Sequence, residues 1–222
     1  MVQLKSITNN TTNIIVRVMS RETESAKAVQ TESAKAVLII DTETTGFPSK
    51  RNRCPSDFHY WDTCRLVQIA WQIHDKTTRE LVSRQEFIIQ PDGFTITNAF
   101  IHGISTEIAT EKGVAIQTMF DALAADLTTV DVLVAHNFDF DDGVVLAELY
   151  RFNQIDIIQQ WISKTQRCTM KMGALPNAKW PKLAELYQQL FQEPPKITLH
   201  RAANDVDICA QCYFELLRLI QQ

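Results

Sequence analysis

Asp41 and Glu43 stand two residues apart at the end of an apolar run, Val37-Leu38-Ile39-Ile40. Such a run, with three β-branched members, reads as a strand buried on both faces. Residues i and i+2 of a strand point the same way, so both carboxylates aim at one spot. Two aligned carboxylates repel each other and remain ionised together only around a cation. Oxygen ligands of this kind suit Mg2+ or Mn2+. The Thr44-Thr45-Gly46 that follows predicts a tight turn whose backbone N–H groups are free to meet a ligand. By itself an Asp-x-Glu also fits a solvated strand end, so the rest of the acid set decides.

A second apolar run, Val132-Leu133-Val134-Ala135, leads into His136-Asn137-Phe138-Asp139-Phe140-Asp141-Asp142. Val144, Val145, Leu146, Leu149 and Phe152 then recur at helical spacing, which places the acids where a strand gives way to a helix. A helix N-terminus favours negative charge. Asp139, Asp141 and Asp142 compete for the role of ligand, and simple capping would use any one of them. A third cluster, His200-Arg201-Ala202-Ala203-Asn204-Asp205, precedes Val206, Cys209, Tyr213, Leu216, Leu217 and Ile220 at a helical period. Asp205 therefore lies early on an amphipathic helix. His200, five residues earlier, would sit roughly 140° away on a continuous helix, so it serves the same site only from a loop. A loop histidine suits a general base acting on water. Its plain alternative is a surface histidine.

Taken in order, these clusters resemble the DnaQ-like 3′–5′ exonucleases, the DEDD group with an RNase H-like fold. The resemblance covers residues 36 to 221 and rests on Asp41-Thr42-Glu43-Thr44-Thr45-Gly46, on His136-Asn137-Phe138-Asp139-Phe140-Asp141, which singles out Asp141, and on His200-Arg201-Ala202-Ala203-Asn204-Asp205. In the tyrosine branch of the group the base stands four residues before the last Asp. Arg201 holds that position here, so the chain is similar to the histidine branch, DEDDh.

The resemblance implies that Asp41, Glu43, Asp141 and Asp205 hold two divalent ions, Mg2+ or Mn2+, about 3.5–4 Å apart. His200 would take the proton of the attacking water. Thr42, Thr44, Asn137 and Phe140 would face the substrate, as would Ile101 and His102 of the segment Ile101-His102-Gly103-Ile104, which in the family lies beside the 3′-terminal nucleotide. The implied activity is release of nucleoside 5′-monophosphates from single-stranded 3′ ends. DNA is the expected substrate, with RNA as in an oligoribonuclease the alternative, because the chemistry does not touch the 2′ position. A non-catalytic subunit of a polymerase complex is a third class, and the intact acid set speaks against it. Proofreading would require a polymerase partner.

These residues need a frame to hold them. Residues 66–74 and 84–90 read as strands forming an antiparallel meander with the first, 133–135 as a parallel central strand, and Cys168-Thr169 as part of a fifth. Residues 114–127 read as a helix with Val114, Met119, Leu123 and Leu127 inward. Another opens at Trp180-Pro181 and runs to Phe191, before Pro194-Pro195. The expectation is an α/β fold, a mixed five-stranded sheet flanked by helices.

At 222 residues, 45% hydrophobic and 22% charged, the chain suits one sizeable core. With several acids committed to metals, the net charge of −4 argues for local rather than global binding, a grip on a few terminal nucleotides. No apolar run approaches the ~20 residues of a membrane span. Cysteines 54, 64, 168, 209 and 212 lack zinc spacing, and Cys209 and Cys212 read as core-facing in a reducing compartment.

Residues 1–35 read as a weakly ordered extension and 36–222 as the exonuclease domain. The extension carries an eight-residue tandem repeat, Thr23-Glu24-Ser25-Ala26-Lys27-Ala28-Val29 recurring from Thr31 to Val37. Its acid-free first 21 residues are weakly like a mitochondrial transit peptide, and Ile14-Ile15-Val16-Arg17-Val18-Met19 could equally form a strand. Otherwise a cytoplasmic location is expected. Between the first two strands, residues 48–65 form a long insertion in which Lys50, Arg51, Arg53 and Arg65 interleave with Phe58, His59, Tyr60 and Trp61. That mixture suits phosphates and unstacked bases, or else folds its aromatics onto the sheet.

Overall fold

Val37, Leu38, Ile39 and Ile40 are all fully buried, as a run without polar alternation requires of a central strand. In the computed structural model, which describes residues 36–50, 53–174 and 179–221, this run opens β1 (Ala36–Thr44). β1 pairs antiparallel with β2 (Leu66–Asp75), and β2 pairs antiparallel with β3 (Leu81–Ile88). On its other side β1 runs parallel to β4 (Val130–Ala135), which runs parallel to β5 (Thr165–Cys168). The sheet order is β3-β2-β1-β4-β5, the mixed five-stranded α/β sheet expected.

Helices cover both faces. α1 (Ala99–His102), α2 (Thr106–Lys112) and α3 (Ile116–Leu127) precede β4, and α4 (Phe138–Arg151) and α5 (Ile155–Ile162) follow it. α6 (Thr169–Met172), α7 (Leu183–Phe191) and α8 (Ala202–Ile220) complete the chain. The alternation of β1 divides the core. Leu38 and Ile40 pack with α3, α4 and α5 through Phe120, Leu123, Val144, Leu149 and Trp161. Val37 and Ile39 pack with α8 through Val206, Cys209 and Tyr213. Cys209 and Cys212 are buried in α8, as their spacing predicts, and every cysteine of the described residues is free.

Several boundaries differ from expectation, each for a tertiary reason. The third strand starts at Leu81 rather than residue 84, because its pairing with β2 continues back to His74. Ile89 leaves it to bridge Val114 in parallel. Val114 is thereby extended, donating its N–H to Ile88 O and accepting from the Gln90 N–H, both at 2.9 Å, and α3 begins only at Ile116. Thr169 belongs to α6 rather than the fifth strand. α7 begins after Trp180-Pro181, where the Glu185 carboxylate accepts the Lys182 N–H at 2.8 Å.

The 48–65 insertion is only partly a surface device. A 3-10 turn, Phe58–Trp61, lays Trp61 against α4 so tightly that a Cβ on Gly143 would lie 2.1 Å from the indole. Arg65, expected among the basic contacts, is instead buried, with its guanidinium 2.7 Å from Glu148 and stacked on Phe94. Arg151 holds Asp62 at 2.6 Å and lies over Phe58. Arg51 and the expectations for residues 1–35 lie outside the described residues. Among the described residues no helix is long and apolar enough to cross a membrane.

Candidate active site

Because β4 runs parallel to β1, α4 starts at the sheet edge where β1 delivers its acids. Asp41 and Glu43 continue the parity of Val37 and Ile39, toward α8, whose first turn carries Asp205. Thr42 has the opposite parity, toward α4. Its hydroxyl donates to Asp141 Oδ1 at 2.7 Å across 99 residues of sequence. The edge of one strand thus gathers one aspartate from each sheet face.

The three competing acids of the second cluster separate cleanly. Asp141 is buried on Thr42. Asp139 is exposed and paired with Lys171 at 2.7 Å. Asp142 accepts from Trp161 Nε1 at 2.8 Å and Gln166 Nε2 at 3.2 Å. None of them caps α4. Its N-cap is Asn137, exposed and left-handed at φ 67°, a conformation asparagine tolerates.

His200 lies in the loop before α8, exposed and left-handed at φ 68°. A histidine held in that region marks a position the surroundings determine. Its backbone N–H donates to Asp205 Oδ2 at 2.9 Å. Ligand atoms of Glu43, His200 and Asp205 lie within 4.8 Å of one another. The other Asp205 oxygen, Oδ1, is buried without a hydrogen-bond partner.

Electrostatics ties in the remaining acids. Burial raises the Asp41 carboxyl well above its usual range, and Asp141, Asp205 and Glu43 push it further. Burial, then Asp205 and Asp141, lift Glu43 to about 7. Burial lifts Asp141 to about 7 against the pull of Thr42. Asp205 rises to about 6 by burial, moderated by the His200 N–H. An orphaned buried carboxylate oxygen within a cluster of mutually repelling acids is suited to a divalent cation, which Glu43, His200 and Asp205 lie close enough together to hold.

A pH dependence follows. Between the ordinary carboxylate range and about 7, the folded chain keeps protons that the unfolded chain has released. Its stability therefore declines as pH rises through that window. We expect the melting temperature in EDTA to fall from pH 5 to pH 8, and the increment given by Mn2+ to grow over the same interval. Equal Mn2+ increments at both pH values would sink the prediction.

The expected substrate contacts fall into two groups. Thr42, Thr44 and His102 have internal partners. The Thr44 hydroxyl donates to Gly46 O at 2.8 Å. His102 is buried, with Nδ1 accepting the Ile104 N–H at 3.2 Å and Nε2 beside Asn98 Oδ1, while Asn98 donates to Thr44 O. These side chains shape the strand end. The backbone of the turn is also less free than expected, since the Thr45 N–H donates to Arg65 O at 2.9 Å. Gly46, at φ 154°, lets the chain pass Thr63 O, which a Cβ would meet at 3.1 Å. Ile101 and Asn137 are exposed, and Phe140 is half-buried with its ring edge-on to Phe47. A cavity of about 780 Å³ opens over the start of α4, lined by Phe47, Arg53, Asn137, Phe140 and Trp180 and by the two acids outside the cluster, Asp139 and Asp142.

Sequence reasoning passed over Gln68. It pairs opposite Glu43 in the sheet, accepts the Ala202 N–H at 3.2 Å and donates to Glu86 at 2.7 Å. It thereby anchors the first residue of α8. The available signal was one amide inside Leu66-Val67-Gln68-Ile69-Ala70-Trp71. Gln68→Met should cost about 1–3 kcal/mol of stability by stranding the Ala202 N–H. It should also lower kcat by about tenfold as Asp205 and His200 shift. A lowered melting temperature with kcat intact would reduce Gln68 to a purely structural role.

The span matched by the RNase_T exonuclease family model is residues 38–213. Among solved structures the chain is similar to Exonuclease X in complex with 5′ overhanging duplex DNA, at 22% identity and a TM-score of 0.55, over 84% of this chain and 93% of that one. It is similar to E. coli Exonuclease I in complex with a dA16 oligonucleotide, at 19% identity and a TM-score of 0.58, over 83% of this chain and 41% of that one. An Exonuclease I from Methylocaldum szegediense gives 19% and 0.59, over 83% of this chain and 40% of that one. The chain thus spans about two fifths of the Exonuclease I chains, and at these identities the likeness is one of fold. A search of curated protein sequences gives no match. The family span itself runs from within β1 to within α8 and so takes in every element that brings an acid to this edge, which makes the chain a member of the RNase_T exonuclease family, DnaQ-like nucleases of the RNase H-like superfamily.

Proposed function

We propose that the chain is a metal-dependent 3′–5′ exonuclease that releases nucleoside 5′-monophosphates from the 3′ ends of single-stranded DNA. The observation that carries this reading is the gathering of Asp41, Glu43, Asp141 and Asp205 at one strand end, with His200 exposed at their margin. Bound there, Mg2+ or Mn2+ would supply positive charge against the carboxylates and the phosphate and make a water acidic enough to attack. Asp141 is already held by Thr42 and Asp205 by the His200 N–H, so neither needs to reorganise when substrate arrives. The His200 imidazole, facing solvent, takes the proton of the attacking water. The P–O3′ bond of the terminal linkage breaks, the phosphate leaving with the released nucleotide and the 3′ oxygen staying on the shortened strand. Ile101 and Phe140 offer apolar surface to the terminal nucleotide, and Asn137 its amide. Neighbours in fold described in complex with a dA16 oligonucleotide or with 5′ overhanging duplex DNA support the substrate class.

The test uses (dT)12 labelled at its 5′ end. With Mg2+ or Mn2+ the labelled product should shorten one nucleotide at a time. EDTA should abolish the reaction and excess metal restore it. Immediate release of the label would reverse the polarity, activity persisting in EDTA would end the metal-dependent reading, and faster turnover of (rU)12 would move the substrate to RNA.

A further inference from the structure

The insertion between β1 and β2 divides its basic and aromatic residues between two tasks. Phe58, Trp61 and Arg65 are taken up by the packing against α4 and Phe94. Lys50 and Arg53 are exposed, and both lie over the ring of Tyr60, Lys50 Nζ at 5.0 Å and Arg53 Cζ at 4.8 Å from its centre. The Tyr60 carbonyl accepts the Ser49 N–H at 2.8 Å, which draws the two ends of this loop together. Two like charges gathered on one ring repel, and among the described residues neither meets a carboxylate. Of the acids lining the adjoining cavity, Asp139 is paired with Lys171, and Asp142 is held by the neutral donors Trp161 and Gln166 on the side of α5 and β5. Lys50 and Arg53 thus keep two cationic groups available to an anionic ligand at this cavity. Arg53, Asn137 and Phe140 line the cavity, and Trp180 stands at it 54% exposed.

We propose that Lys50 and Arg53, clamped on Tyr60, bind backbone phosphates on the 5′ side of the scissile bond, with Trp180 as a stacking face for one of the bases. The assignment of sides rests on the proposed function, which puts the scissile bond at the carboxylates and the terminal nucleotide on Ile101, Phe140 and Asn137. A cation held against a ring contacts phosphate without first being ordered, and a base stacks on an indole whatever its identity. The clamp thus gives length-dependent, sequence-tolerant grip to a chain whose net charge of −4 opposes nucleic acid as a whole.

Fluorescence anisotropy with 5′-fluorescein (dT)12, in EDTA at low salt, reads the clamp without turnover. The Lys50→Ala/Arg53→Ala variant should bind about tenfold more weakly, with a dependence of log K on log salt shallower by ~1.4, the share of two phosphates on a single strand. Trp180→Ala should weaken binding several-fold with the salt slope unchanged. Hydrolysis of the p-nitrophenyl ester of thymidine 5′-monophosphate, which has no nucleotide on the 5′ side, should be unaltered in the double variant, while KM for (dT)12 rises and kcat holds. Equal binding of (dT)12 by the unsubstituted chain and the double variant, or equal losses on ester and oligonucleotide, overturns the proposal. If the unsubstituted chain hydrolyses neither substrate with Mn2+, the nuclease reading fails instead, and anisotropy still decides the clamp.

Discussion

Asp141→Asn is expected to lower kcat by about 10³-fold or more, while Asp139→Asn and Asp142→Asn stay within about tenfold of the unsubstituted chain. Losing one carboxylate from a metal site removes several kcal/mol of charge stabilisation, and each 1.4 kcal/mol is about tenfold in rate. Asp139 is exposed on Lys171, a surface pair worth at most about 1 kcal/mol of stability. Asp142 bonds Trp161, so its loss shows in melting rather than in turnover. Asparagine keeps the volume of Asp141 and an oxygen for the Thr42 hydroxyl. It also removes a buried charge from a repelling cluster, so Asp141→Asn should melt higher than the unsubstituted chain in EDTA while being nearly inactive. Steady-state rates and melting curves of the three variants check this. Equal rate losses across them would mean that Asp141 has no special place.

His200→Ala should lower kcat by roughly 10²–10⁴ with Mn2+ affinity nearly unchanged. The structure makes the second half of that expectation specific. Asp205 is oriented by the backbone N–H of residue 200, which alanine retains. Only the imidazole is lost. A base must be neutral to accept a proton, so the rate of the unsubstituted chain should climb with pH to a plateau, and the variant should lose that rise. Added imidazole should recover part of the rate. The competing role is a metal ligand, since His200 offers an atom within 4.8 Å of Glu43 and Asp205. Loss of Mn2+ affinity with the rate retained at saturating metal would assign it that role. Arg201 cannot substitute, because a guanidinium does not release its proton at working pH.

The chain's local periodicity determined a good deal. A continuous apolar run announced a strand buried on both faces, the i, i+2 spacing put Asp41 and Glu43 on one side of it, and helical spacing placed Asp205 in a first turn. These are properties of a few consecutive residues, so they can be read without knowing what packs where. The resemblance to a family supplied the choice of Asp141 and the order of the acids. Tertiary structure alone decided the rest. It bonded Thr42 to Asp141, buried His102 beneath the strand end, and sent Arg65 into a buried ion pair with Glu148 while leaving Lys50 and Arg53 outside. Gln68 gained its purpose only when α8 came to rest its first N–H upon it. For Thr42, Arg65 and Gln68 the deciding contact joins residues far apart in the chain, and a polar side chain's role is set by the partner that satisfies it once water is excluded.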